Sequence, residues 1–309
     1  MAGGAIQVWV MFGVAVVVAI AVDLGVFHRK AHSVGWKEAV VESLAWIGLA
    51  VCFNVWVYLS RGHQAGLEFL TGYLVEKSLS IDNIFVFLLV FQGLRVPADA
   101  QHKVLYYGVV GALVMRAVFV FAGVSLLRHF RVVLFLFGGI LLLTAVRMLS
   151  PGTDMVRPEE NWLVRIVRRL VPVTSEYRSE RFSVSERGSW TVTPLFLALV
   201  TVEAFDILFA VDSVPAVLAI TRDTFIAYSS NVFAILGLRA LYFALGDVLS
   251  RFRFLRPGLA AILLFTGIKM VASDWVEIST PVSLATVIGI VILMIVASVA
   301  WPAKAKHGS

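Results

Sequence analysis

Five carboxylates stand inside runs that are otherwise apolar enough to cross a bilayer. Glu76 and Asp82 lie in Glu76-Lys77-Ser78-Leu79-Ser80-Ile81-Asp82-Asn83, and Glu203, Asp206 and Asp212 lie in the stretch from Glu203 to Pro215. A charge at the bilayer centre costs about 2.5–3.5 kcal/mol on the insertion scale. Such acids require compensation by a metal ion, by protons, or by basic side chains on facing helices. The two stretches read as halves of one cation site, with the amide of Asn83 and the hydroxyl of Ser213 as neutral oxygens beside the acids. Cys and His are missing from both stretches. Oxygen-only donors suit Mg²⁺, Ca²⁺ and Mn²⁺, whereas thiolate or imidazole would favour Zn²⁺ or copper. Metal ligands bind in their deprotonated form, so metal entry expels protons and proton exchange becomes a natural mechanism.

The elements must bring these groups together. On a regular helix Glu76 and Asp82 point about 120° apart, and Asp206 and Asp212 share that spacing. One site therefore predicts local unwinding, and Pro215 offers a cause by removing the hydrogen bond back to Val211. Helices three to five recur as helices six to eight. Asp82-Asn83-Ile84 matches Asp212-Ser213-Val214, Arg116-Ala117-Val118-Phe119 matches Arg239-Ala240-Leu241-Tyr242, and Ile140 to Met148 matches Ile262 to Met270. A unit with an odd number of helices is inverted when repeated, the arrangement of secondary transporters with a mid-membrane site. Inversion sets Glu76 level with Asp212 and Asp82 level with Asp206, in two tiers about 9 Å apart, with Glu203 in the deeper tier. Lys77, Arg116, Arg147, Arg239 and Lys269 also lie within spans. Balancing acids and fixing helix packing is the plain reading for Arg147 and Lys269. Arg116 and Arg239, related by the repeat, are supporting candidates that could replace the cation when none is carried. Glu42, near the start of the second span, reads as a group snorkelling to the interface.

The composition agrees with a membrane location. Hydrophobic residues make up 60% of the chain and charged residues 15%, against about 25% charged in soluble domains. The expected fold is all-α, a polytopic transmembrane bundle of about nine helices containing two inverted three-helix repeats. The spans read as 5–27, 39–60, 67–94, 103–126, 131–149, 192–220, 224–246, 255–273 and 280–301. The chain divides into two N-terminal helices (1–66), a first repeat (67–149), a cytoplasmic loop (150–191), a second repeat (192–273), and a last helix with a tail (274–309). Within the loop, Trp162, Leu163, Ile166, Val167 and Leu170 share a helical face opposite Arg165, Arg168 and Arg169, which predicts a helix lying on the inner leaflet.

A net charge of +6 does not argue for nucleic acid, because the basic residues follow the loops. With the N-terminus outside, the inner loops hold Arg29, Lys30, Lys37, Arg95, Lys103, the arginines between Arg157 and Arg187, Arg251, Arg253, Arg256, Lys304 and Lys306. The outer loops hold only Arg61, Arg128, Arg131 and Arg222. This is the positive-inside bias, and it sets the N-terminus outside and the C-terminus in the cytoplasm. The first span does not read as a cleaved signal peptide, because its basic cluster His28-Arg29-Lys30 follows the apolar run. The one cysteine, Cys52, excludes an intrachain disulfide.

Longer stretches carry a resemblance. Glu76 to Phe85, Thr193-Pro194-Leu195-Phe196, Val202 to Ala216 and Ser230 to Phe243 are similar to motifs of the TerC/Alx family, and the likeness runs from Asp23 to about Met270. That family is linked to bacterial tellurium resistance and the alkaline-pH response, its Alx-like members to manganese export, and it lies near the LysE-like exporter superfamily. The resemblance implies an inner-membrane Mn²⁺ exporter whose acidic transport residues correspond to Glu76, Asp82, Glu203, Asp206 and Asp212. One departure is Glu176-Tyr177-Arg178-Ser179, which lacks the glycine expected after the Tyr-X pair. The expected substrate is Mn²⁺, with no organic cofactor, and the expected partners are the divalent ion and the lipid bilayer, with no nucleic acid and no protein partner indicated. The alternatives are carriage of Ca²⁺, a basic amino acid or a tellurium oxyanion, or a scaffold for stress-response partners. An intramembrane aspartyl protease does not fit, because the Gly-x-Gly-Asp context is missing, so the chain does not read as an enzyme.

Overall fold

The computed structural model describes residues 2–22, 36–130, 132–149, 169, 172–174, 177, 181–186, 189–249, 254–276 and 278–301. The helices are α1 (Ala2–Val22), α2 (Trp36–Arg61), α3 (His63–Gly93), α4 (Ala98–His129), α5 (Val132–Leu149), α6 (Pro194–Leu218), α7 (Thr224–Leu236), α8 (Leu238–Leu249), α9 (Leu255–Val271) and α10 (Thr280–Ala300). Strands β1 (Ser183–Glu186) and β2 (Ser189–Val192) form an antiparallel hairpin leading into α6, with Ser183 opposite Val192 and Glu186 opposite Ser189. The interfacial helix expected over 162–170 and the acid Asp23 fall outside the described residues.

Local chemistry sets the boundaries. Pro97 precedes α4, and Pro194 opens α6, where its missing N–H is no loss. Asp223 caps α7, accepting from the backbone N–H of Phe225 at 2.8 Å and of Ile226 at 3.2 Å. Among the described residues, seven segments are long and apolar enough to cross a membrane, from Lys37–Arg61 to Thr280–Ala300. Helix α3, 31 residues and about 46 Å long, carries the central charges and exceeds a hydrocarbon core of about 30 Å.

Two expectations about continuity are corrected. Helix α6 runs unbroken through Pro215 to Leu218. The proline sits in the last turn, so it removes one bond, and its own carbonyl still accepts from Ala219 N–H at 2.9 Å. A one-residue interruption lies instead within the span expected over 224–246, which remains a single apolar span (Thr224–Ala244) while Gly237 parts its regular helix into α7 and α8. A methyl at Gly237 would meet Lys77 Nζ at 2.9 Å and Trp46 Cβ at 3.1 Å. Lys77 Nζ donates to the Ala234 carbonyl at 3.2 Å, serving the end of α7 that the break leaves open.

Helix α3 packs on α6 and α7, α4 on α6 and α7, α5 on α9, and α2 on α3 and α8. Gly138 and Gly267 face each other across the α5–α9 contact, where a methyl on either would strike the partner backbone. A second cluster of Phe12, Phe53, Phe69, Phe225 and Phe233 ties α1 and α2 to α3 and α7. Outward residues such as Val10, Leu59, Val132, Leu136 and Leu293 are exposed, as a lipid-facing surface requires. At one end of the bundle Arg61 Nη1 pairs with Asp223 Oδ2 at 3.2 Å and Gln64 Nε2 donates to Thr280 Oγ1 at 2.7 Å. At the other, Tyr177 donates to the Leu94 carbonyl at 2.6 Å and Tyr242 to Gln101 Oε1 at 2.9 Å.

Candidate functional site

Four helices of the bundle each place polar groups at one buried point. Arg116 of α4 is fully buried, as are Glu76 of α3 and Asn231 of α7, and Asp206 and Ser213 of α6 are nearly so. Arg116 Nη1 donates to Glu76 Oε1 at 2.5 Å, to Asn231 Oδ1 at 3.3 Å and to Ser213 Oγ. Its Nη2 faces Asp206 Oδ1 at 3.7 Å. Asn231 Nδ2 completes the ring by donating to Glu76 Oε2 at 3.2 Å. One guanidinium nitrogen has two hydrogens, yet three oxygens crowd Nη1. Asp206 Oδ2 and Arg116 Nε have no hydrogen-bond partner among the described residues. The centre therefore holds more acceptor capacity than its one cation uses. With both carboxylates ionised it would carry a net negative charge, because two acids face one arginine.

A cavity of about 210 Å³ adjoins this centre, lined by Arg116, Ser213, Asn83, Thr144 and Asp212 with apolar neighbours. Asp212 Oδ1 accepts from Thr144 Oγ1 at 2.8 Å, and the Arg147 charge acts on it electrostatically. Glu203 lies one turn before Asp206, half-buried, with its carboxylate against the bare Cα of Gly111 on α4. A side chain at Gly111 would occupy the position of those oxygens. The liquid volume of one water is about 30 Å³, so the cavity has room for an ion with several waters.

The sequence-derived residues thus fall into three places. Glu76, Asp206, Arg116 and Ser213 meet directly. Asp212 and Asn83 line the adjoining cavity, and Glu203 stands at its own position against α4. Asp82 lies on α3, but its side chain is outside the described residues. The expected pairing of tiers needs correction. Glu76 does come level with Ser213, next to Asp212, but the Asp212 carboxylate turns to Thr144, and the acid sharing a cation with Glu76 is Asp206.

Arg239 does not join Arg116. Its Nη2 pairs with Glu42 Oε1 of α2 at 3.1 Å, both side chains almost fully buried. Glu42 is consequently a buried ion-pair partner and not a snorkelling group. Among the described residues no three Asp, Glu, His or Cys side chains gather closely enough to hold a metal by themselves. The convergent donors include the neutral oxygens of Ser213 and Asn231. Asn231 and Thr144 are functional candidates that the reading of charges passed over. Their only signal is a polar side chain within an apolar span.

A model of the integral membrane protein TerC family matches residues 61–307. The chain belongs to the TerC family. It is 45% identical over 304 residues to an uncharacterised membrane protein of Myxococcus xanthus, covering 98% of this chain and 94% of that one. It is 43% identical over 302 residues to Alx of Escherichia coli strain K12, a candidate membrane-bound redox modulator, covering 95% of this chain and 94% of Alx. A membrane protein of Rickettsia bellii is 36% identical over 291 residues, covering 94% and 96% of the two chains. No solved structure matches. This TerC-family chain is an integral, multi-pass, helical membrane protein, and the coarse reading of the sequence as a polytopic bundle of this family holds.

Proposed function

We propose that this TerC-family protein carries Mn²⁺ out of the cytoplasm in exchange for protons, through Glu76, Asp82, Glu203, Asp206 and Asp212. The observation that carries the proposal is the acceptor-rich cluster of Glu76, Asp206, Ser213 and Asn231 around one arginine, buried between α3, α4, α6 and α7. Buried membrane carboxylates mark ion or proton pathways. Carboxylate, amide and hydroxyl oxygens form a donor set for a hard divalent cation. Asn83 and Ser213 support the acids as neutral ligands. Proton release follows from the need for ionised ligands.

Helices α1 and α3 would bring the spans to nine, with α7 and α8 forming a single broken one. The pairing of α5 with α9 and of α3 with α6, and the packing of α4 on α6 as α7 packs on α3, are the contacts that a two-fold relation between repeats requires. They support the inverted-repeat reading. The positive-inside bias supports an N-terminus outside and a C-terminus in the cytoplasm, and the resemblance to Alx-like members supports the bacterial inner membrane and the direction of export.

The test is uptake into inside-out vesicles under an imposed pH gradient, with Mn²⁺, Mg²⁺ and Ca²⁺ compared. Saturable Mn²⁺ uptake that collapses with the gradient and is lost in Asp206→Ala and Asp212→Ala is the expected result. Uptake unchanged in both variants would remove the assignment, and accumulation of lysine or tellurite in place of the ions would transfer the site to another solute.

A further inference from the structure

We infer that Arg116 is a built-in surrogate for the transported cation. It fills the oxygen cage when no ion is carried and yields the cage to the ion when one binds. The inference rests on the proposed transport function and deepens it. The guanidinium sits where Glu76 Oε1, Ser213 Oγ, Asn231 Oδ1 and Asp206 Oδ1 converge, at 2.5 Å from the first, 3.3 Å from the third and 3.7 Å from the fourth. These are the oxygens that a hard divalent ion would take, so ion and guanidinium compete for one set of ligands.

The competing positions are physically separable. Arg116 also lines the 210 Å³ cavity, together with Asp212 and Asn83. A long arginine side chain that leaves the cage therefore has an adjoining cavity to enter, largely apolar, in which Asp212 offers another carboxylate. One acid of the cage keeps a free oxygen, Asp206 Oδ2, and Arg116 Nε is unsatisfied. The arrangement seen is thus a serviceable but incomplete match, as expected of a group that occupies the cage only for part of a cycle. A carrier returning with protons but no metal would otherwise move any cage carboxylate left ionised, uncompensated, through the bilayer interior. On the insertion scale, one uncompensated charge slows that step by about a hundredfold.

The experiment uses the full chain in liposomes. Two fluxes are measured: net Mn²⁺ transport down an imposed gradient, and exchange of labelled for unlabelled Mn²⁺ at equal concentrations on both sides. Exchange does not require the metal-free carrier to return, whereas net flux does. Arg116→Met should lower net flux by about a hundredfold while exchange stays within about threefold of wild type. Arg116→Lys keeps a tethered charge and should retain net flux within about tenfold. If Arg116→Met loses both fluxes equally while Mn²⁺ still raises its melting temperature, or keeps both, the inference fails. Should Arg116→Met not fold, Arg116→Lys decides alone, and a folded Lys variant that exchanges Mn²⁺ without net flux overturns it. Wild-type protein that neither transports Mn²⁺ nor is stabilised by it sinks the transport reading itself. Wild-type transport without the expected split sinks only the role of Arg116.

Discussion

Replacing Asn231 with leucine tests whether the central cluster is one interdependent unit. The two side chains share the same branched heavy-atom skeleton, so the change removes the amide while keeping its shape, although the methyl groups are bulkier. Asn231 makes two bonds to charged partners, donating to Glu76 Oε2 at 3.2 Å and accepting from Arg116 Nη1 at 3.3 Å. Hydrogen bonds to charged groups contribute about 1.5–3 kcal/mol each. Both bonds are on the long side, so the lower end applies and the loss sums to about 3 kcal/mol. Leucine regains little by burial, because lipid tails are as apolar as it is. The assay is thermal denaturation of the detergent-purified protein, with Ser230→Ala as the neighbouring control. Ser230 bonds only within its own helix, to the Ala227 carbonyl at 3.1 Å, and its loss should stay below about 1 kcal/mol. In a Glu76→Gln background, Asn231→Leu should be less damaging by about 1–2 kcal/mol, since the coupled charge is gone. If Asn231→Leu melts with Ser230→Ala, and the Gln background changes nothing, then the cluster is not the unit described.

Other expectations follow from single contacts. Glu42→Met removes a buried partner of the Arg239 charge and should cost about 3–5 kcal/mol, whereas Glu42→Met with Arg239→Met should recover most of it; equal melting temperatures for single and double variants would show the pair to be uncoupled. Gly111→Ala drives a methyl into the Glu203 carboxylate, while a methyl at Gly139 meets nothing within 4 Å. Mn²⁺ uptake should fall in the first variant and not in the second, and equal uptake would detach Glu203 from the path. Tyr177, outside the spans, has its hydroxyl pushed above the ordinary value of 10.0 by burial. The folded state thus holds that proton longer than the unfolded chain. The stability contributed by Tyr177 should be level below pH 10 and fall as pH rises above it, and Tyr177→Phe should lessen the alkaline decline in melting curves.

The spans were legible because burial in lipid leaves long apolar runs, and the acids because a carboxylate in such a run has few innocuous explanations. Helix boundaries also carried local signals, such as Pro194 and Asp223. The interruption at Gly237 was not legible. Glycine is common in membrane helices, and what makes this one a break is the approach of Lys77 and Trp46 from other helices. Pro215 gave the opposite impression, since a proline announces a lost bond but not how near the helix end it falls. Glu42 was misread because its partner, Arg239, lies 197 residues away. Asn231 and Thr144 left faint traces, because a neutral side chain in a bilayer carries a much smaller penalty than a charge and so stands out less. Pairing within the site was harder still. Helical spacing predicts level and direction along one helix, but which acid shares Arg116 with Glu76 depends on how α4 packs across α3 and α6.

That packing has a mechanical consequence. The central contacts draw on α3 and α4 and on α6 and α7, and Arg116 touches all three of the others. No rigid movement of α3 and α4 against α6 and α7 can leave every one of these contacts intact. Helix α7 supplies Asn231 to the cage, and Gly237 parts its regular turns from α8, where Gly237 N–H donates to Ile235 O and Lys77 Nζ donates to Ala234 O. A displacement of α7 about that break would carry Asn231 away from both Glu76 and Arg116 and loosen the cage on one side. Under the proposed function, opening the cage and changing its occupant would then be one event. Gly237→Ala, whose methyl would push Lys77 Nζ aside and crowd Trp46 Cβ at the break, should slow transport while leaving Mn²⁺ stabilisation of the protein in place, and loss of both together would mean that the break serves folding alone.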